Sequence, residues 1–438
     1  MKKCALHNLG CKVNSYETQV MQQMMENAGY EIVPFGEEIA DVYIINTCSV
    51  TNIADRKSRQ MIHKARKINP DAIVVASGCY VESASDSADD DIDIVIGNNE
   101  KSRLIEILEG YFAGEPLPEK SIIGEINTFD EMKMDRPMEH TRAYIKIQDG
   151  CNRFCTYCII PYVRGRIRSR DIENICEELK RIADSGCKEV VLTGIHLSSY
   201  GLDCPQNGYT LLDVIERANS IEGIERIRLG SLEPLIVTEE FVERLFRCEK
   251  VCPHFHLSLQ SGCDETLRRM NRRYTTGEFY RGVELLRKYY DNPAITTDVI
   301  VGFPGETPEE FEITRQYLEK IKFYELHVFK YSRRKGTVAD KMEGQLTDRI
   351  KSERSDVLLE MDEQFSNAYR ASYIGKTTRI LTEEIQEIGG EAYMTGYTDT
   401  YVKVAVPVRK CPQIVDNEII NVRITGLLTK EMVIGVAE

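Results

Sequence analysis

Residues 150–161 read GCNRFCTYCIIP and carry three cysteines, Cys151, Cys155 and Cys158, separated by three and then two residues. A structural zinc site takes four ligands, commonly two such hooks or a cysteine pair plus a histidine pair, and only one hook is present. Three thiolates suit a four-iron, four-sulfur cluster instead. Each holds one iron, and the fourth iron keeps an open position that can bind a substrate. A second set is less conspicuous. Cys11 follows ALHNLG, Cys48 follows VYIINT and Cys79 follows VVASG, so each lies just past the carboxyl end of a predicted strand. Such ends border the ligand crevice of an open parallel sheet. Any one of these cysteines alone reads as a small buried hydrophobe; three in equivalent places predict a second iron-sulfur cluster, again with one open iron.

Two other groupings could do chemistry. RGRIRSR (164–170) sets Arg164, Arg166, Arg168 and Arg170 at alternate positions, beginning six residues after Cys158. If extended, the stretch shows all four guanidiniums on one face, where they predict contacts with nucleic-acid phosphates that position a substrate without specifying its base. RKSRQMIHKARK (56–67) carries six basic residues and reads as a solvated surface. In CEKVCPHFH (248–256), Cys248, Cys252, His254 and His256 are four possible zinc ligands, but the strand period puts only the two histidines on one face. Packing at the start of a strand is their expected role.

Three regions must position these groups. In residues 1–112, KKCALHNL, DVYIINT, AIVVASG and DIVIGN predict buried strands, alternating with helices at 14–28, 52–69 and 100–112. This βαβ order implies a parallel, flavodoxin-like sheet. The acidic run DSADDDID (86–93) reads as a solvated loop, and 113–140, with prolines in GEPLPEK and MDRPMEH, as a connector. In 141–345, strands are predicted at 143–148, 189–197, 226–232, 254–260, 295–302 and 325–331, the first five each followed by an amphipathic helix. Six parallel strands with outer helices make a partial (β/α)6 barrel, whose open side can admit a macromolecule. A charged helical linker spans 346–370, and five short strands in 371–438 predict a small β-barrel. Seven Lys and Arg against nine Asp and Glu there leave RNA binding by that barrel to fold analogy alone.

The net charge of -14 argues against nonspecific binding of polyanions by the chain as a whole. Its fourteen cysteines are spread over 438 residues and Met1 leads into KKCALHNLG without an apolar signal segment, so a reducing cytoplasm is expected. Apolar runs such as AIVVA (72–76) are far shorter than a membrane span.

The Cys151, Cys155, Cys158 triad resembles the motif of radical S-adenosylmethionine enzymes, and the three-region layout resembles the methylthiotransferases among them. Those proteins join a cysteine-bearing N-terminal domain to a partial radical barrel and a C-terminal RNA-binding β-barrel called TRAM. The likeness runs through LTGIHLSSYG (192–201), RLGSLEP (228–234), HLSLQSGCDETLRRMNRRYT (256–275), TDVIVGFPGETPEEF (297–311) and YSRRKGTVA (331–339). NLGCKVNSYET (8–18) resembles the branch that thiomethylates N6-threonylcarbamoyladenosine beside the tRNA anticodon. The isopentenyladenosine branch tends to read G-C-Q-M-N there and the ribosomal-protein branch G-C-x-K-N, so Cys11, Lys12, Val13 and Asn14 carry the substrate expectation.

The resemblance implies two four-iron clusters and two uses of S-adenosylmethionine: methyl transfer to a sulfur on the N-terminal cluster, and a radical that activates C2 of the adenine. The cofactor chelates the open iron of the barrel cluster, which is why three cysteines are needed and a fourth would interfere. Tyr157 is expected to pack near the cofactor's adenine, or otherwise to shield the cluster from water. Gly194, Ser231 and Gln260, at the ends of the second, third and fourth barrel strands, lie where loops bind ligands, and are cofactor-site candidates. The implied partners are the anticodon loop of tRNA, an electron donor and a sulfur source. Alternative substrates are N6-isopentenyladenosine in tRNA or an aspartate of a ribosomal protein. A noncatalytic RNA-binding protein with structural metal would account for the terminal barrel and the basic clusters, but for neither cysteine triad.

Overall fold

Fully buried strands in the first region need cover on both faces, and the fold supplies it. The computed structural model describes residues 1–83, 89–118, 121, 123–137 and 141–438; the acidic run at 86–93 and the connector at 113–140 therefore lie partly outside the described residues. Strands β1 (Lys3–Asn8), β2 (Glu31–Ile32), β3 (Val42–Thr47), β4 (Ile73–Gly78) and β5 (Ile94–Ile96) form a parallel sheet in the order β2-β1-β3-β4-β5. That is the doubly wound order of flavodoxin-like folds. All six residues of β3, VYIINT, are buried, as a central parallel strand requires. Helices α1 (Lys12–Asn27), α2 (Asn52–Ile68), α3 (Cys79–Ser83) and α4 (Leu104–Phe112) follow the strands. The two-residue β2 was not foreseen from sequence, because EI is too short for a periodic signal.

The second region holds β6 (Arg142–Asp149), β7 (Arg168–Ser169), β8 (Glu189–Gly194), β9 (Arg226–Leu229), β10 (His254–His256), β11 (Ala294–Val301) and β12 (Glu325–Lys330). One sheet runs β7-β6-β8-β9 and another β10-β11-β12. Single parallel bridges, Ile227 to Val251 and Leu232 to Leu257, carry the wall from one to the other. Apart from β7, which is antiparallel to β6, the six strands are parallel and leave the barrel incomplete. The outer helices are α5 (Ile160–Val163), α6 (Ile172–Asp184), α7 (Leu211–Ser220), α8 (Glu239–Phe246), α9 (Asp264–Arg269), α10 (Thr276–Tyr289) and α11 (Pro308–Ile321). Side-chain caps start several of them: Asp171 accepts from Glu173 and Asn174 at α6, and Thr275 and Thr307 form capping boxes at α10 and α11.

One apolar core joins Tyr16, Val20 and Met21 of α1 to Ile145 and Ile147 of β6 and onward through the barrel. The first two regions thus share a packed interface. Helix α12 (Asp348–Ala371) leads to β13 (Thr377–Ile388), β14 (Glu391–Thr398), β15 (Lys403–Pro407), β16 (Ile419–Leu427) and β17 (Met432–Ala437), which close into a barrel in the order β13-β14-β15-β17-β16. The small barrel is docked by arginines of β9. Arg226 donates to the carbonyls of Tyr397 and Arg379, and Arg228 to those of Thr398 and Asp399 at 2.8 Å. No helix among the described residues is long and apolar enough to cross a membrane.

Candidate active site

The loop that carries Cys151, Cys155 and Cys158 leaves β6 and is pinned by residues 269–272. Thr156 donates through its amide to Met270 O at 3.1 Å and through its hydroxyl to Arg269 O at 2.9 Å, and Asn271 donates to Phe154 O at 3.0 Å. Phe154, within this loop, holds a left-handed φ of 50°, an uncommon backbone state for an aromatic residue. Two donors reach their sulfurs: the Arg153 amide to Cys151 Sγ at 3.4 Å and Arg272 Nη1 to Cys155 Sγ at 3.2 Å. Burial pushes the Cys151 thiol up to about 11 and Cys158 up to about 12. Thiolates buried this deeply need a cation, and donors already aimed at sulfur are the surroundings iron-bound thiolates use.

The strand-end trio comes together from three elements. Gly10 (φ 107°) turns the chain out of β1 so tightly that a Cβ there would lie 2.8 Å from Cys48 Cβ and 2.9 Å from its Sγ. Gly78 (φ 98°), just before Cys79, leaves only 2.3 Å between such a Cβ and Thr47 O. Both close approaches need glycine. Cys11 caps α1, and its Sγ lies 3.9 Å from Asn14 Oδ1. Burial raises the Cys48 thiol to about 11 and also raises Cys79, and each of these thiols senses the charge of Cys11. Arg164 Nε donates to Cys79 Sγ at 3.4 Å, and Asn98 Nδ2 lies 3.9 Å from the same sulfur. Among the described residues, neither triad brings three sulfurs mutually within 4.8 Å. One metal ion would need them that close; a cluster, on which each thiolate takes a different iron, does not.

Cys11 and Cys158 line the same cavity, of about 770 Å³, and all four predicted cofactor contacts, Tyr157, Gly194, Ser231 and Gln260, line it too. Gln260 adopts a left-handed φ of 68°, a strained state that concentrates at ligand sites. Lys12 from the first region and Tyr401 from the C-terminal barrel complete the walls, so all three regions contribute.

The arginine row is corrected by the structure. Arg164, Arg168 and Arg170 are buried, and only Arg166 is exposed, with its guanidinium 4.5 Å from the Phe154 ring centre. The stretch is a strand only at Arg168–Ser169, so the alternating face never forms at the surface. Each buried guanidinium has an acidic partner. Arg170 pairs with Glu178, and with Glu131 at 2.6 Å. Arg168 lies 3.7 Å from Asp149. Arg164 reaches Glu17 at 2.9 Å, Asp149 at 3.1 Å and Asn14 at 2.7 Å. Lys146 joins this buried network at 2.7 Å from both Glu17 and Asp149, and Lys101 also pairs with Glu17. Burial pushes the Glu17 carboxyl up, and Arg164, Lys101 and Lys146 outweigh it and hold it well below the usual carboxylate range. Sequence reasoning missed Glu17, Lys101, Lys146 and Asp149; Glu17 and Arg164 are 147 residues apart, and no local pattern links them.

The four possible zinc ligands at 248–256 do not converge either. Cys248 and Cys252 are buried, whereas His254 and His256 face the cavity. Among the described residues, the one set of three metal-ligating groups within 4.8 Å is His63, Asp89 and Asp91, on the surface.

Residues 145–318 match the Radical SAM superfamily and residues 3–97 match the uncharacterized protein family UPF0004. The chain is 42% identical over 408 residues to "Threonylcarbamoyladenosine tRNA methylthiotransferase MtaB" of Bacillus subtilis (strain 168), covering 92% of this chain and 90% of that one. The chain belongs to the radical SAM methylthiotransferase family. Within that family it is also 42% identical to the protein of the same name from Aquifex aeolicus (strain VF5), over 93% of this chain and 99% of the other. The "tRNA-2-methylthio-N(6)-dimethylallyladenosine synthase" of Finegoldia magna is 33% identical over 97% of this chain and 93% of its own. Among solved structures, the radical S-adenosylmethionine methyltransferase TsrM of Kitasatospora setae, with cobalamin and a [4Fe-4S] cluster bound, shares the fold. Its TM-score is 0.57 at 16% identity, over 76% of each chain.

Proposed function

We propose that this protein is a radical S-adenosylmethionine enzyme that adds a methylthio group to C2 of N6-threonylcarbamoyladenosine at position 37 of tRNA. The observation that carries the reading is the single cavity onto which a cysteine of each triad opens. The substrate rests on the relatives named for threonylcarbamoyladenosine, which are 38–42% identical over more than nine-tenths of the chain.

Cys151, Cys155 and Cys158 would hold the barrel cluster, and Cys11, Cys48 and Cys79 the N-terminal one. S-adenosylmethionine held at the barrel cluster would supply a methyl group in one use and, in a separate use, the radical chemistry that activates C2. Tyr157, Gly194, Ser231 and Gln260 would position it along the cavity wall, and confinement there would keep the reacting groups together. Arg164 ties Cys79 to the base of the barrel loop through Asp149, acting as a positioning residue between the two sites. Arg166 remains as a phosphate contact near the cysteine loop. An electron donor and a sulfur source complete the reaction. Residues 1–112, 141–345 and 371–438 form the methylthiotransferase, radical and TRAM domains, joined by the connector 113–140 and the linker 346–370.

Anaerobic reconstitution should load about eight iron atoms per chain, the sum of two four-iron clusters, and give reductive cleavage of the cofactor. Nucleosides from a deletion strain should lack 2-methylthio-N6-threonylcarbamoyladenosine. An unchanged level would overturn the substrate, and a chain that binds zinc but no iron would overturn the chemistry.

A further inference from the structure

The cavity has a polar side that neither cluster nor the cofactor candidates account for. Lys12, on the first turn of α1, projects into it beside His254, and both have Arg228 as an electrostatic neighbour. Arg228 is fully committed. It pairs with Glu189 at 2.8 Å and donates to two carbonyls of the small barrel. His256 is likewise occupied, by Thr296 at 3.0 Å and Asp298 at 3.3 Å. Of the remaining carboxylates in the walls, Asp298 faces His256, and Glu325 lies 3.6 Å from Arg370. Lys330 donates to Ser352 at 2.9 Å.

Lys12 differs from all of these. Among the described residues its side chain makes no hydrogen bond and no ion pair within 4.0 Å; Arg228 and Arg142 repel it, and Glu189, farther off, attracts it. His254 makes no side-chain hydrogen bond among them either, and its ring rests on Tyr401 with centroids 5.2 Å apart. Lys12 is exposed at the cavity wall, so its ammonium is open to an incoming anion, and the two guanidiniums nearby add to the positive potential that would draw one in. A neutral imidazole N–H alongside supplies a second donor to such an anion.

We propose that Lys12 Nζ, with a ring N–H of His254, receives the carboxylate of the threonyl group on the substrate base. The inference rests on the substrate reading above, and it deepens that reading by naming what in the chain tells an anionic N6 substituent from an apolar one. A dimethylallyl group has no charge to offer these donors and would leave the ammonium unpaired, which disfavours it. Tyr401, in a left-handed turn at φ 70°, backs the histidine from the C-terminal barrel, so the small barrel shapes substrate choice as well as any wider RNA contact.

The test compares two anticodon stem-loop RNAs that differ only at position 37, one with threonylcarbamoyladenosine and one with its carboxamide. Binding to the reconstituted full chain is followed by fluorescence anisotropy, and thiomethylation by mass spectrometry. Wild type should bind the acid about 30-fold more tightly, the range of a charge-assisted contact. Lys12→Met should shrink that preference to about threefold or less, chiefly by weakening the acid, and Lys12→Arg should keep most of it. Lys12→Gln replaces Lys12→Met if that variant fails to load wild-type iron. Wild type that thiomethylates the acid while Lys12→Met keeps the full preference overturns this inference alone. Wild type that thiomethylates neither RNA overturns the reading of function, and this inference with it.

Discussion

Arg164 offers the sharpest test of how the two cysteine sites are held together. Its guanidinium is buried completely and donates to Glu17, Asp149, Asn14 and the sulfur of Cys79. Replacing it with methionine keeps much of the volume and removes every one of those bonds. Breaking a buried pair from one side costs about 3–5 kcal/mol, because the stranded charge stays buried. Here the lower end applies, since Lys101 and Lys146 still neutralise Glu17, and Lys146 and Arg168 still face Asp149. Arg164→Met should therefore lose about 3 kcal/mol in anaerobic denaturant titration of the reduced apo-protein. After reconstitution its iron should fall from about eight to about four atoms per chain, because Cys79 loses its cationic donor. Arg164→Lys restores charge but not the fork, and should recover only part of either loss. A wild-type unfolding midpoint with full iron loading would refute the reasoning. If the only change were weaker tRNA binding, Arg164 would be a surface phosphate contact after all.

Two further outcomes follow from the same geometry. Arg166→Ala, at the one exposed arginine of that row, should leave iron loading intact and reduce the salt dependence of tRNA binding by roughly one phosphate contact, a slope change of about 0.7–0.9. Burial pushes the Glu189 carboxyl up, but Arg228 and Arg142 outweigh it and leave it at about 2, below its ordinary 4.5. A carboxyl depressed on folding adds stability that is fully present above its unfolded pKa and is lost as pH falls through the folded one. The contacts around Arg228, which also dock the C-terminal barrel, should thus weaken from roughly pH 5 downward. Glu189→Gln should be less stable at neutral pH and show a flatter acid dependence in thermal unfolding; an identical pH profile would count against the assignment.

Much of this molecule could be read along the chain. GCNRFCTYC announced a cluster with an open iron because three thiols at that spacing leave one iron without a protein ligand. The parallel sheet and the partial barrel followed from alternating periodicities, and Cys11, Cys48 and Cys79 could be grouped because each follows a buried strand. Gly194, Ser231 and Gln260 could be picked out because they lie at barrel-strand ends; in the structure β8 and β9 stop at Gly194 and Leu229 and β10 at His256, short of the predicted ends, and all three residues line the cavity.

The arginines show where such reading stops. R-x-R-x-R-x-R has the same period on an exposed strand and in a buried turn, and a guanidinium leaves water only when acids from elsewhere meet it. Glu17, Glu131 and Glu178 come from other elements, so burial of Arg164 and Arg170 was settled by packing between regions. Lys12 is similar: its type was visible at once, but its lack of a partner among the described residues, beside Arg228, His254 and Tyr401, exists only when α1, β9, β10 and the small barrel surround one cavity. Local spacing determines which ligands and strands are possible, since covalent geometry sets it. Whether a charge faces solvent, a counterion or a substrate is a property of neighbours distant in the chain, and only the folded arrangement supplies them.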